Sequence, residues 1–303
     1  MSEPVKHHYL PEFYLSRWRN ESGQLVEFCV RYGKFYARPT STKGTGYKPN
    51  LYSLPLSDDP QQLEKGFMKK LDTRASKVLD LLEAGTDPAS LTVSQRSDWS
   101  RFLMSLLMRT PSDIETFKTA YAAEWVHTTP AQEEAYRAKR QPGWPETLSD
   151  ALRAQGPLQT ADDAMETAAR MMDHDGLGKI INNMIWVVID VSEASNRFLT
   201  SDRPVMFDMP FLQHDSYLFL PIGPTKIFAA THNAQTMARV LALPLETRVE
   251  VSNQFVSGHA VSMVYGQDAS ARDFVSQHIS KRPQPSLAEL LARQARARTP
   301  PPA

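Results

Sequence analysis

Seven side chains scattered along the chain are of the types needed for proton transfer or anion recognition: His7, His8, Asp72, Arg109, Ser201, Asp202 and Asn253. An imidazole exchanges a proton near neutral pH or ligates a metal. Carboxylates orient such a base or bind metal, and a guanidinium matches carboxylate or phosphate oxygens in a bidentate fork. Gathered at one site, these groups suit hydrolysis. One histidine acts as base or ligand, Asp72 and Asp202 orient, Ser201 binds substrate, and Arg109 holds an anionic oxygen. A phosphodiester would use every role, and the set accommodates a divalent metal without requiring one.

Each residue also has a structural reading. His7 and His8 are adjacent, so in an extended segment they face opposite sides and need not share a site. Asp202 lies in Thr200-Ser201-Asp202-Arg203-Pro204, where a carboxylate can cap its own backbone in an Asx turn before the proline. No Gly-x-Ser-x-Gly elbow surrounds Ser201. Arg109 closes an apolar helix before Thr110-Pro111 and could satisfy the last carbonyls as readily as clamp an anion. Asp72 sits beside an apolar stripe, solvated or paired with Lys69 or Arg74, and Asn253 can fix backbone or bind a ligand. Two functions therefore stand side by side. One is the hydrolase. The other is a non-enzymatic ligand-binding or regulatory protein, with a defence role among its forms, in which the polar residues form a buried network.

Several classes fall away. No glycine-rich phosphate loop, dinucleotide fingerprint, His-Glu-x-x-His or EF-hand pattern is present. His8-Tyr9-Leu10-Pro11 with Asn50-Leu51 is similar to the pattern of HNH-type nucleases, but the spacing is long and no histidine follows Asn50 until His127. Asp173-His174-Asp175 reads as a polar helix end. Lys+Arg and Asp+Glu balance at 34 each, so no global field draws the chain to nucleic acid or anionic lipid. The single cysteine, Cys29, lies in a strand-like run and reads as a buried structural thiol. No apolar run is long enough to span a bilayer and the first residues lack a signal-peptide core, so a cytoplasmic location is the expectation.

The elements that must position these residues point to an α+β fold: an N-terminal β-hairpin element, a central helical block, and a C-terminal mixed β-rich block with helices. The turn signal at Arg31-Tyr32-Gly33-Lys34 predicts a hairpin over 24–30 and 34–38. Apolar 3–4 spacing predicts helices over 60–84, stopping at Gly85, and from Thr92 or Ser94 to near Arg109. Residues 112–140 read as a more polar helix with Phe117, Tyr121 and Trp125 on one face, and a further helical stretch runs to Asp173. Met184–Ile189 reads as a strand covered on both faces. Short strands are expected at 197–200, 204–207, 216–220 and 225–231, then helices over 234–242 and 246–264. The layout is a single globular domain over 1–281, with a division near 141–160 as the alternative. Residues 282–303 form a mobile, basic, proline-rich tail in which Ser286 to Arg298 could be helical.

The order of the short motifs carries a resemblance. His7-His8-Tyr9-Leu10-Pro11-Glu12-Phe13-Tyr14-Leu15, Asn50-Leu51-Tyr52-Ser53-Leu54, Leu71-Asp72, Arg109-Thr110-Pro111, Thr200-Ser201-Asp202-Arg203-Pro204 and Leu220-Pro221-Ile222-Gly223-Pro224 follow one another over about residues 7–270. The arrangement resembles the bacterial family known as domain of unknown function 4238. The resemblance implies positions and architecture rather than a mechanism. Leu71-Asp72 stands where the family pattern has Ile-Glu, a carboxylate one methylene shorter.

Overall fold

The computed structural model describes residues 5–125, 128–208 and 213–298. The chain opens with β1 (Lys6–His8), a single turn α1 (Glu12–Leu15), then β2 (Leu25–Arg31), β3 (Lys34–Thr40) and β4 (Tyr47–Pro49). β2 and β3 form the expected hairpin. Tyr32 and Gly33 both have positive φ, 51° and 72°, which gives the turn the twist that flanking strands require. β1 pairs with β4, with His7 opposite Lys48. Gly46 (φ 67°) lets the backbone approach Leu10, where a Cβ would lie 3.0 Å from the leucine's own, and its carbonyl accepts from both Tyr9 and Leu10 amides.

The helical block follows. A π-helical turn (Glu64–Met68) leads into α2 (Lys69–Glu83), which ends at Gly85 with φ 85° and a Thr86 amide reaching back to Leu81. Thr92 and Gln95 form a capping box for α3 (Val93–Leu106). The single helix expected over 112–140 is instead two, α4 (Pro111–Trp125) and α5 (Pro130–Lys139). Thr129 caps α5 and Pro130 occupies its first position, which sets the preceding residue outside helical geometry. Phe117 and Tyr121 do meet, ring to ring; the side chain of Trp125 lies outside the described set. The next helical stretch also divides, at Gly156-Pro157, into α6 (Leu148–Ala154) and α7 (Pro157–Met172). His174 ends that run and caps α8 (Asp175–Asn182), its Nδ1 accepting from the Gly176 amide.

The last block holds β5 (Ile185–Asp190), β6 (Thr200–Ser201), β7 (Met206–Phe207), β8 (Tyr217–Pro221), β9 (Lys226–Thr231), α9 (Ala234–Leu241), α10 (Leu245–His259), β10 (Met263–Gly266), α11 (Arg272–His278) and α12 (Leu287–Arg298). Two antiparallel four-stranded sheets result, ordered β3-β2-β10-β6 and β5-β9-β8-β7. Three expectations are corrected. β5 is an edge strand with Ile185 39% exposed, not a strand covered on both faces. The helix expected over 246–264 stops at His259, and its last residues become β10, paired with β2 on one side and β6 on the other. The tail expected to be mobile from Arg282 docks, because α12 lies on α4 and Leu287 is only 3% exposed. The segment Asp202-Arg203-Pro204 carries the chain from one sheet (β6) into the other (β7).

The main core joins the opening segment to the helices and the second sheet. Trp99 and Trp186 both meet the ring of Phe228 edge-on, and Phe102 packs on Phe13, Tyr14 and Trp99. Tyr14 binds the Pro221 carbonyl and Thr200, and Trp18 donates to the Phe198 carbonyl. These bonds lock the N-terminal motif to the C-terminal block. Cys29 is buried and free, and burial raises its thiol pKa.

Candidate functional site

Arg109 is the organising residue. α3 ends just before it, and Pro111 starts a new helix, so its side chain turns inward where α2, α3 and the N-terminal segment meet. The guanidinium has no exposed surface. Its Nε donates to the Tyr9 carbonyl (3.0 Å), Nη1 donates to Asp72 Oδ1 (3.0 Å), and the group lies 5.6 Å from the Phe102 ring centre. Nη2 has no protein partner among the described residues. Asp72 keeps about a fifth of its side chain in solvent, so the ion pair is reached from the surface at the carboxylate edge. Burial raises the Asp72 pKa, and Arg109 opposes the rise.

A residue that sequence reasoning missed completes this corner. Glu64, half-buried in the π-helical turn, places Oε2 where it has no protein partner among the described residues. Burial lifts its carboxyl from 4.5 to about 7, and the nearby Asp72 charge adds to the rise while Arg109 opposes it. Glu64 was hidden because it sits outside the apolar stripe of its helix and reads there as a solvated charge. A π turn widens the ladder locally and redirects side chains, and no residue pattern in 60–68 announces one.

His7 and His8 divide as adjacent residues on a strand must. His7 is wholly buried. Its Nδ1 accepts from the Tyr52 amide (2.9 Å), which requires Nε2 to carry the proton that is shared with Gln61 Oε1. The ring stacks on Tyr52, and burial lowers its pKa. Both nitrogens are therefore engaged in holding β1 to the Asn50–Gln61 loop. His8 faces the other way, beside Tyr47; its Nε2 lies 3.8 Å from Glu12 Oε1 and itself makes no hydrogen bond among the described residues. Burial lowers its pKa; Glu12 and a hydrogen bond with the Thr42 backbone pull it up, and Lys6 and Arg109 push it down. Asn50, with φ 54°, is a turn residue whose side chain accepts from the Val5 amide. The nuclease-like pattern is thus a strand clasped by its own loop.

The remaining nominated residues lie elsewhere. Asp202 is 3% exposed, and its two oxygens accept from the Val261, Ser262 and Met263 amides and the Ser262 hydroxyl at 2.7–3.1 Å. Burial lifts it to about 6, against those four hydrogen bonds. Ser201 has no exposed surface and accepts from the Arg203 amide (3.2 Å). Together they terminate α10 and pin β10 to β6. Asn253 bonds the Leu199 amide and the Arg197 carbonyl, fixing the approach to β6. It borders an open groove of about 590 Å³ between α10 and α11 that is separate from the Arg109 corner. Of the seven nominated side chains, the structure pairs Asp72 with Arg109, sets His8 and the further residue Glu64 within range of the Arg109 charge, and leaves the other four apart. Among the described residues, no group of three or more His, Cys, Asp or Glu is arranged to hold a metal ion.

The family model described as "Protein of unknown function (DUF4238)" matches residues 6–270. The chain belongs to this family. The match takes in the whole Arg109 corner and both sheets, and stops short of α11. No curated protein and no solved structure matches the chain. Among the described residues no helix is long and apolar enough to cross a membrane.

Proposed function

We propose that the chain is a hydrolase working by general acid–base catalysis at the Arg109 corner, with Glu64 as the proton carrier. One observation carries the reading. Three buried polar atoms from three separate elements, His8 Nε2, Glu64 Oε2 and Arg109 Nη2, have no hydrogen-bond partner among the described residues, and the Arg109 charge bears on both His8 and Glu64. Buried polar groups are normally satisfied, so such a set fits a bound polar substrate. A carboxyl near pH 7 moves a proton in either direction under physiological conditions. Arg109 Nη2 suits a carbonyl, carboxylate or phosphate oxygen, and Asp72 keeps the guanidinium oriented. His8 at the rim would contact the substrate rather than a buried proton relay.

The non-enzymatic ligand-binding reading draws on a different observation. His7, Ser201, Asp202 and Asn253 all hydrogen-bond backbone, His7 adding the Gln61 side chain and Asp202 the Ser262 hydroxyl, as expected of a network that positions the N-terminal arm. The two readings separate in one experiment. p-Nitrophenyl acetate, p-nitrophenyl phosphate and bis(p-nitrophenyl) phosphate are offered to the wild type and to Glu64→Gln, with thermal shift recorded for acetate and phosphate. Hydrolysis of one ester class that falls by roughly 10²-fold or more in Glu64→Gln supports the enzyme. A thermal shift with phosphate or acetate, with no hydrolysis of any ester, moves the assignment to ligand binding.

A further inference from the structure

The β2–β3 hairpin carries a group of side chains that shares no residue with the Arg109 corner. In its register Glu27 lies opposite Arg38, Cys29 opposite Tyr36 and Arg31 opposite Lys34, so these six share one face. Phe35 and Ala37 turn to the other face and pack on a core cluster. Cys29, Arg31, Tyr32, Tyr36 and Arg38 line a hollow of about 210 Å³ that opens to solvent. Beside it, the buried Glu27 Oε1 accepts from Arg38 Nε (3.0 Å) and Nη2 (2.7 Å), and from Arg31 Nη2 only at 3.5 Å. Glu27 Oε2 accepts from the Thr45 hydroxyl. One carboxylate thus faces two guanidiniums and is taken up mainly by Arg38. Arg31, with Lys34 opposite it, leaves the hollow with an excess of positive charge.

Tyr32 is not explained by folding. It is fully exposed, so its ring buries nothing. Its φ of 51° lies in the left-handed region, where glycine and asparagine are at ease and a bulky side chain is strained. A strained, solvated aromatic in a turn that glycine or asparagine would suit better points to a role outside the fold. Tyr36, on the neighbouring strand, is also 43% exposed. β3 is the edge of its sheet, and charges on an edge guard it against pairing with another chain. That accounts for Lys34 and Arg38, and Pro39 adds to it. It does not account for two exposed tyrosines around a hollow.

We infer that this hollow binds a nucleotide, its base against the tyrosine rings and its phosphate on Arg31 and the Nη1 edge of Arg38. A nucleobase stacks on an aromatic side chain whatever its sequence, because every base has a π-face. A guanidinium matches phosphate oxygens, and two of them on neighbouring strands each meet a different oxygen of one phosphate. The chain carries no net charge, so the attraction is confined to this hairpin and is not a field of the whole surface. A free nucleotide and a single strand present the same ring and phosphate, and affinity for each separates the two sources.

The test is calorimetric titration of the full-length protein with adenosine monophosphate, adenosine, inorganic phosphate and a short adenylate strand. The monophosphate should bind about tenfold or more tighter than adenosine or phosphate, since it alone engages both ring and charge. Tyr32→Asn gives the turn the Asn-Gly pair it prefers, so its thermal midpoint should be no lower than wild type. The same variant should weaken the monophosphate about tenfold through lost stacking. Arg31→Ala leaves the Glu27–Arg38 pair in place and should weaken it about as much. A strand held about tenfold tighter than the monophosphate identifies single-stranded nucleic acid as the source, and equal affinity identifies the free nucleotide. Absence of monophosphate binding, phosphate binding as tight as the monophosphate, or an affinity unchanged in either variant overturns the inference.

Discussion

Replacing Glu64 with glutamine should stabilise the protein, and should do so only above a definable pH. The carboxylate form is disfavoured in the folded state by burial and by the Asp72 charge, which is why the group rises from 4.5 to about 7. For a carboxyl raised on folding, the associated stability is fully present below the unfolded value near 4.5 and is lost as pH rises through about 7. At about 1.4 kcal/mol per pH unit, the full rise corresponds to roughly 3.5 kcal/mol at most. Glu64 is half-buried and Arg109 offsets part of the penalty, so a gain on the order of 1–3 kcal/mol at pH 8 is expected for Glu64→Gln. Near pH 4 the two proteins should match, since glutamine then replaces a neutral acid of the same shape. Urea unfolding of both proteins at half-unit steps from pH 4 to pH 8.5 gives the difference curve directly. Asp202 and the other titrating groups are common to both proteins and largely cancel. A flat difference across this range, or a difference that turns against the variant as pH rises, would refute the placement of Glu64 in a desolvated, negatively biased corner. Loss of ester hydrolysis in the same, more stable variant would tie the strain at Glu64 to function.

His7→Ala should cost about 3 kcal/mol, since it removes a buried ring and strands the Tyr52 amide, while His8→Ala should cost below about 1 kcal/mol; chemical denaturation showing the reverse order would contradict the assignment of His7 to the scaffold. Arg109→Lys should lower stability by about 2–4 kcal/mol, because an ammonium cannot reach both the Tyr9 carbonyl and Asp72 in the guanidinium's geometry. A thermal midpoint within a degree of wild type would count against it. Asp202→Ala leaves the amides of residues 261–263 without their acceptor and should cost about 3 kcal/mol or more. Its local signature is faster hydrogen exchange at those three amides, and unchanged exchange would show that β10 needs no such clasp. Thr92→Ala removes one half of the α3 capping box and should cost about 1 kcal/mol by urea unfolding.

Much of the local structure was legible because it follows from side-chain periodicity and turn chemistry. The Tyr32-Gly33 turn, the stop at Gly85 and the Thr92 start are decided by neighbours within a few residues, and each stands where the spacing points. β10 was not legible. Residues 246–264 keep helical spacing throughout, and the helix ends at His259, just before a carboxylate some sixty positions earlier, on Asp202, captures the amides of residues 261–263. The docking of α12 was likewise hidden, since a basic proline-rich stretch reads as tail until Leu287 joins the main core.

The candidate site shows the same division. Sequence alone determined which residue types were present, that His7 and His8 must face opposite sides, and that a family pattern ran through His7, Asp72, Arg109 and Asp202. It could not rank them, because a buried polar residue and a catalytic one use the same atoms. Tertiary structure decided that His7, Ser201, Asp202 and Asn253 have their hydrogen bonds engaged by backbone and by the side chains of Gln61 and Ser262. It also paired Asp72 with Arg109 and set His8 and a glutamate that no motif contained within range of the guanidinium charge. The reason is physical: whether an imidazole or carboxylate serves as scaffold or as reagent depends on which of its lone pairs and protons are already engaged, and those partners come from segments remote in the chain.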